Sequence, residues 1–264
     1  MTLPRGRRDL LEQLGLWLGF AVAYEVVRGL ADRSESIALV NAGRVVAIEH
    51  QLGGLYDLDL QHFALGIGGA LLELAGWTYW LSQFAVLIAA VVWVYLRHHD
   101  AYPLLRNTIF AVNTIGLIGY IALPTAPPRL LAGAGYVDTL ATGSLTFRSG
   151  LIQAFANPYA AMPSLHAADA LVVGVTLAAV TRSKAARVVF LLWPAWVWFS
   201  LIATGNHFWL DVVAGAALAT VAIAAATLVA EGSLSRRTST RPDAARRAPR
   251  RRAVRPPWAA GRSS

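Results

Sequence analysis

The fold is decided by residues 208–230, which read FWLDVVAGAALATVAIAAATLVA. This stretch contains one charged side chain, Asp211, among its 23 residues. A helix needs about 20 predominantly apolar residues to cross the hydrocarbon core of a bilayer. In lipid, a helix satisfies its backbone hydrogen bonds within one segment. The stretch therefore predicts a membrane-spanning helix.

Five further stretches have the same apolar character. The composition agrees, because 56% of the residues are hydrophobic and only 14% are charged, whereas soluble domains have about 25% charged residues. We expect an all-α integral membrane protein that forms a six-helix transmembrane bundle. The low share of charged residues disfavours a soluble enzyme. No cleavable signal peptide is evident, so the first stretch should be a retained span. The predicted spans are residues 12–31, 70–96, 105–123, 165–181, 186–204 and 208–230.

Basic residues gather in alternate connections of this six-span order. Because Lys and Arg mark cytoplasmic loops, these connections define the cytoplasmic side. We therefore predict a multi-pass protein of the cell membrane with both termini in the cytoplasm. The residues concerned are Arg5, Arg7, Arg8, Arg97, Arg106, Arg182, Lys184 and Arg187.

The net charge of +8 comes from the end of the chain, where residues 232–264 carry ten arginines and one acid, Asp243. This composition cannot bury apolar surface and predicts a disordered, Arg-rich cytoplasmic tail. Residues 1–231 form the predicted transmembrane domain, with a motif-bearing core at about 105–231. Nucleic-acid binding is disfavoured because no aromatic residue lies among the arginines before Trp258. Membrane lipid is the expected partner of the tail.

Two of the outer connections are long. In residues 32–69, apolar side chains at three- and four-residue spacing predict interfacial helices, with a break at Gly53-Gly54. Residues 124–164 are rich in Pro and Gly and are expected to be irregular.

Polar residues of three separate segments converge on the extracytoplasmic side of this topology. Ionisable groups beside a span are costly, so they are commonly functional. The segments are PTAPPR, which ends at Arg129; MPSLHAAD, which contains Ser164 and His166; and TGNHFWLD, which contains His207 and Asp211.

These residue types suit phosphoryl transfer. His207 and Asp211 are four residues apart, so they share one helix face, and the carboxylate can orient the imidazole for attack. Ser164 is a predicted helix N-cap, which puts His166 in the first turn, where it can protonate a leaving oxygen. Arg129 can hold a phosphate by two parallel hydrogen bonds.

Other interpretations stay open. Arg148 is a candidate second anion contact, and Asn206 and Asp169 are auxiliary candidates, with Asp169 either pairing with His166 or facing water. The histidines and carboxylates could instead form a two-His, one-carboxylate metal site, although neither a metal nor a cofactor is expected. A non-catalytic lipid transporter or scaffold is a further alternative.

The residues Pro163-Ser-Leu-His166 and His207-Phe-Trp-Leu-Asp211 resemble the second and third motifs of the type 2 phosphatidic acid phosphatase (PAP2) superfamily. The stretch AAMPSLHAA at 160–168 is similar to the inositol phosphorylceramide synthase (Aur1-like) branch. The first motif rests on Pro128-Arg129. Many phosphatases of the superfamily carry a Ser-Arg pair before the third motif, whereas this chain has Ser200-Leu201, which favours that branch.

The resemblance implies roles for the site residues. His207 would form a phospho-histidine, Asp211 would orient it, His166 would be the acid, and Arg129 and Ser164 would bind phosphate oxygens. The substrate would be a lipid phosphate. The acceptor would be a hydroxyl in a lipid phosphotransferase, or water in a lipid phosphatase.

The topology can be tested with a reporter. A reporter enzyme that is active only in the cytoplasm, fused after Ser264, should be active, because positive residues keep that end inside. A periplasm-specific reporter at the same position is the control and should be silent. Activity of the periplasmic reporter alone would contradict the orientation.

Overall fold

A computed structural model of the chain describes residues 3–30, 34–139 and 159–239. These ranges are all-helical, as the sequence predicts, and within them no β-strand forms. The chain divides into two compact units, Met1–Ala226 and Thr227–Ser264, and the site described below belongs to the first.

Nine α-helices lie within the described ranges. A π-helical turn, Ser82–Val86, joins α4 to α5, and a 3-10 turn, Pro128–Leu130, follows α6. The helices are α1 (Gly6–Leu30), α2 (Glu35–Gln51), α3 (Tyr56–Ile67), α4 (Gly69–Leu81), α5 (Leu87–Arg97), α6 (Tyr102–Ala122), α7 (Leu165–Val180), α8 (Lys184–Ala203) and α9 (Trp209–Ser239).

In the described part of the chain, five helical stretches are long and apolar enough to cross a membrane, which indicates a multi-pass membrane protein. The fourth predicted span, residues 165–181, corresponds to α7, which has 16 residues and therefore rises only about 24 Å. The count of six spans thus stays a prediction. The five stretches are Gly6–Gly29, Gly69–Arg97, Tyr102–Ala122, Lys184–Ala203 and Trp209–Ala230.

The short helix α7 is apolar around its circumference and is enclosed by α5, α6 and α8. Two glycines permit the close approach of its neighbours. A Cβ at Gly174 of α7 would lie 2.6 Å from the carbonyl oxygen of Phe190 on α8. A Cβ at Gly215 of α9 would overlap the carbonyl oxygen of Ser164, the residue that precedes α7. The starts of α7 and α9 are therefore in direct backbone contact.

The two long connections that the sequence assigns to the outer side are partly as expected. The first contains α2 and α3, and the predicted break is confirmed, because Gly53 and Gly54 have φ values of +126° and +150°. The placement of α2 and α3 in the interface stays a prediction. In the second connection, Thr125 and Ala160 form an isolated bridge. The final helix α9 continues to Ser239, past the predicted start of the tail at 232, and residues 240–264 lie outside the described residues.

The contact between α7 and α9 can be tested with Gly215→Ala. The added methyl group must displace the backbone at Ser164, which should lower the free energy of unfolding by about 1–3 kcal/mol. Thermal unfolding in detergent measures the effect. Gly19→Ala is the matched control, because a Cβ at Gly19 meets nothing within 4 Å. Equal unfolding temperatures for both variants would contradict this packing.

Candidate active site

The structure brings the two motif histidines together. His166 lies in the first turn of α7, and His207 lies two residues before α9. Their ring centroids are 6.0 Å apart, with the ring planes inclined at 56°. The two imidazoles therefore share one site, although they come from separate segments of the chain.

His207 is buried, and its ring orientation is fixed from one side. Its Nδ1 lies 3.0 Å from the carbonyl oxygen of Ala161 and 3.4 Å from Oδ2 of Asp211. Because a carbonyl oxygen only accepts hydrogen bonds, Nδ1 carries the proton and donates it. In the neutral ring, Nε2 is then the nitrogen with the free lone pair.

Asp211 is fully buried at the start of α9. Its Oδ2 accepts a hydrogen bond of 3.0 Å from the backbone N–H of Phe208, and its carbonyl oxygen accepts one of 3.0 Å from the N–H of Ser164. The shortest contact of the His207 Nδ1 is thus with the Ala161 carbonyl, and Asp211 lies beside it. This arrangement places a buried carboxyl group next to the imidazole, while the backbone carbonyl of Ala161 fixes the ring orientation.

Ser164 is the N-cap of α7, as the sequence predicts, because its Oγ accepts a hydrogen bond of 3.3 Å from the N–H of Ala167. The hydroxyl proton of Ser164 stays available to donate to another group. The cap also starts the helix so that His166 falls in its first turn, near the positive end of the helix dipole.

His166 stacks on a residue that sequence reasoning missed. The rings of Tyr79 and His166 are 4.6 Å apart and inclined at 13°. Among the described residues, neither nitrogen of His166 has a hydrogen-bond partner, so both are available for proton transfer. Tyr79 stands between Trp77 and Trp80 in α4, where an aromatic residue indicates only membrane packing.

Arg129 forms hydrogen bonds with the residues just before the third motif, through both its backbone N–H and its side chain. Its N–H donates to the carbonyl oxygen of Gly205 (3.0 Å), and its Nη1 donates to Oδ1 of Asn206 (2.6 Å). Its Nε lies 3.8 Å from Oδ2 of Asp138. Asn206 in turn donates to Oγ1 of Thr204 (2.7 Å). Asn206, the neighbour of His207 in the chain, therefore orients the guanidinium.

Asp169 does not pair with His166, which corrects one alternative from the sequence. Its carboxylate accepts hydrogen bonds from Nδ2 of Asn113 at 3.1 and 3.3 Å and from Nε2 of Gln83 at 3.2 Å. These amides come from α6 and from the π-helical turn. They bind Asp169 one helical turn after His166 along α7. Nor does Asp169 face open water, since it is 2% exposed. Arg148 lies outside the described residues.

Sequence reasoning also missed two acids of the first long connection, residues 32–69. Glu49 on α2 and Asp57 on α3 are buried, and each lies close enough to Asp211 to interact with it electrostatically. Burial raises the pKa of Glu49 to about 8 and also raises the pKa of Asp57. No local signal marks these residues, because their contacts join distant segments.

The alternative of a metal site is not supported by the arrangement of side chains in residues 3–30, 34–139 and 159–239. There, no three or more His, Asp or Glu side chains converge closely enough to hold an ion. The residues of the two-His, one-carboxylate hypothesis have other arrangements, since Asp169 binds amides and His207 binds a carbonyl oxygen.

Comparison with known proteins identifies one family. A family model described as the PAP2 superfamily matches residues 43–225. The match covers more than half of the chain and includes α3 to α8 with all the motif residues discussed above. No curated protein and no solved structure matches the chain.

The stack of Tyr79 on His166 predicts a spectroscopic difference between two variants. In Tyr79→Leu, the ring protons of His166 should lose the ring-current shift that a stacked aromatic ring produces. In the control Tyr79→Phe, the shift should remain, because the ring is kept. Histidine NMR spectra in detergent, assigned with His166→Gln, measure it, and an unchanged shift in Tyr79→Leu would contradict the stack.

Proposed function

Because the chain belongs to the PAP2 superfamily, we propose that it is a membrane lipid phosphotransferase that works through a phospho-histidine on His207. The observation that carries the proposal is the contact of 3.0 Å between Nδ1 of His207 and the Ala161 carbonyl oxygen, which leaves Nε2 with the free lone pair in a ring 6.0 Å from that of His166. The alternative within the same chemistry is a lipid phosphatase, in which water is the acceptor.

In the first step, Nε2 of His207 attacks the phosphorus of a lipid phosphate. The N–P bond forms while the P–O bond to the leaving alcohol breaks, and His166 donates a proton to the leaving oxygen. The imidazole gains positive charge as the bond forms. The buried carboxylate of Asp211, 3.4 Å from Nδ1, stabilises that charge.

In the second step, the acceptor attacks the phosphorus of the phospho-histidine. His166, now neutral, takes the proton of the incoming hydroxyl, and the N–P bond breaks to restore His207. An alcohol acceptor gives a new phosphate diester or monoester, whereas water releases the product of hydrolysis. The resemblance of AAMPSLHAA to the inositol phosphorylceramide synthase branch favours an alcohol.

The phosphate oxygens would be bound from two sides. Arg129 has its Nη1 on Asn206 and can offer Nη2 to an oxygen. The start of α7 offers N–H groups and the Ser164 hydroxyl, and a helix N-terminus favours an anion. Arg148 would be a second cationic contact. The site would lie on the extracytoplasmic side of a six-span bundle, as the positions of the basic residues indicate.

Trapping of the intermediate tests the mechanism. Purified protein incubated with a lipid phosphate carrying a labelled phosphorus should retain an alkali-stable, acid-labile label. The label should vanish in His207→Gln, and in His166→Ala it should form only from donors with good leaving groups. His50→Gln, an exposed histidine on α2, is the control and should label normally. Undiminished label in His207→Gln would refute the nucleophile.

Asp211→Asn separates the electrostatic role of the carboxylate from its structural role. The amide oxygen can still accept from the Phe208 N–H, so the start of α9 should be preserved. Loss of the charge beside His207 should raise the barrier to labelling by several kcal/mol, as loss of an orienting carboxylate does in other enzymes. A labelling rate like that of the wild type would exclude this role.

Product analysis distinguishes transfer from hydrolysis. The wild type is given a labelled donor with and without a panel of lipid and sugar alcohols. If an added alcohol becomes phosphorylated and less hydrolysis product forms, the result supports transfer. If the amount of hydrolysis product is the same with every alcohol, the result supports the phosphatase. If no lipid phosphate is turned over, the proposed function is wrong.

A further inference from the structure

Three polar side chains with almost no exposed surface distinguish the outer hairpin, which we define as α2 and α3 (residues 35–67). Glu49 and Gln61 are 0% exposed and Asp57 is 1% exposed. Acidic side chains are almost never fully buried unless they are paired. The partners of these three residues lie on both sides of the proposed nucleophile.

Glu49 binds the start of the helix that carries Asp211. Its Oε1 accepts a hydrogen bond of 3.0 Å from the backbone N–H of Leu210. The first N–H groups of a helix have no partner within the helix, and negative charge at that end is favourable. Asp211 binds the N–H of Phe208 in the same region. Two carboxyl groups from different segments therefore fix the chain directly after His207.

Gln61 and Asp57 hold the segments on the other side. Oε1 of Gln61 accepts from the N–H of Val137, and its Nε2 donates to the Val137 carbonyl oxygen, both at 2.9 Å. The same Nε2 lies 3.4 Å from the carbonyl oxygen of Ala203, which ends α8. Oδ2 of Asp57 accepts from the hydroxyl of Tyr136 at 2.9 Å. Side chains of the outer hairpin thus form hydrogen bonds with the backbone before and after the loop that holds His207.

One oxygen of each acid has no donor within the described residues. These atoms, Oε2 of Glu49 and Oδ1 of Asp57, are buried, and the two side chains lie within hydrogen-bond reach of each other. Two ionised carboxylates cannot bond in this way, because both are acceptors only. A single proton between them would supply the missing donor.

We propose that Glu49 and Asp57 are a proton-sharing carboxyl pair that positions His207 and Asp211 for the reaction without touching the substrate. The inference rests on the proposed function for its kinetic test. The titratable groups that face Glu49 are Asp57 on α3, Asp211 on α9 and Tyr136 in the loop after α6. With one proton, the pair places a single negative charge near Asp211; without it, two such charges are buried there.

The shared proton makes the stability of the fold depend on pH. Burial raises the pKa of Glu49 from 4.5 to about 8, so the folded state retains a proton that the unfolded chain releases. The contribution to stability is fully present below about pH 4.5 and is lost as pH rises through about 8. The alignment of the site should fail over the same alkaline limb, so kcat should fall there while KM changes little.

Glu49→Gln tests the shared proton. The amide oxygen keeps the bond to Leu210, and the amide N–H permanently supplies the donor to Asp57. We expect kcat near that of the wild type at neutral pH, with the alkaline fall of the wild type removed or shifted upward. Asp59→Asn, an exposed acid on the same hairpin, is the matched control and should keep the wild-type profile. An unchanged alkaline limb in Glu49→Gln would overturn the inference.

Glu49→Ala tests the positioning role. It leaves the Leu210 N–H unpaired, so kcat should fall on the order of 10- to 100-fold, as misplacement of a reacting group does, with KM nearly unchanged. If kcat is retained in Glu49→Gln, the loss in Glu49→Ala reflects the missing hydrogen bond to Leu210 and not a missing negative charge. Wild-type kcat in Glu49→Ala would refute the role, and if that variant does not fold, the Glu49→Gln profile decides.

An infrared measurement separates this inference from the proposed function. The purified protein at neutral pH should show a protonated-carboxyl band that is absent in Glu49→Gln and unchanged in Asp59→Asn. The band needs no substrate. If the band is present but no lipid phosphate is turned over, only the proposed function fails. If turnover is normal and the band is unaffected by Glu49→Gln, only the shared proton fails.

Discussion

The site depends on the hydrogen bond from Nδ1 of His207 to the carbonyl oxygen of Ala161. The N–H of Ala161 donates to the carbonyl oxygen of Thr125, so Ala161 joins the segments before the first and second motifs to His207 of the third. Buried backbone groups require partners, and this need is strict where lipid surrounds a protein. The imidazole that satisfies the Ala161 carbonyl thereby acquires the tautomer that frees Nε2. One hydrogen bond thus satisfies a buried backbone group and, in the proposed mechanism, prepares the nucleophile.

The sequence predicts the features that local patterns determine. The helical class, the break at Gly53-Gly54, the cap at Ser164 and the proximity of His207 to Asp211 each follow from residues a few positions apart. The span count does not follow as easily, because α7 is short and apolar on every side, so its hydropathy is the same whether it crosses lipid or fills the centre of a bundle.

Long-range contacts set the remaining features, and the sequence has no local signal for them. The bond from Leu210 to Glu49 joins residues 161 positions apart, and the pattern around Glu49 indicates only an amphipathic helix. Tyr79 is one aromatic residue among several until the stack with His166 is known. Helical spacing permits Asp169 to pair with His166 or to face water, but the amides of Asn113 and Gln83 bind it instead. In each case the deciding partner comes from a different helix.

The two helix N-termini at the site are occupied differently, which indicates where a phosphate would bind. At α9, the carboxyl groups of Asp211 and Glu49 accept hydrogen bonds from the N–H groups of Phe208 and Leu210, so an anion there would meet two acids. At α7, the cap is the neutral hydroxyl of Ser164, so the positive end of that helix is not neutralised by a charged cap. We therefore expect the phosphate to bind at the start of α7, between its N–H groups and Nε2 of His207. A helix terminus used in this way reduces the need for cationic side chains, which is consistent with Leu201 in the place of the arginine that many phosphatases of the superfamily carry.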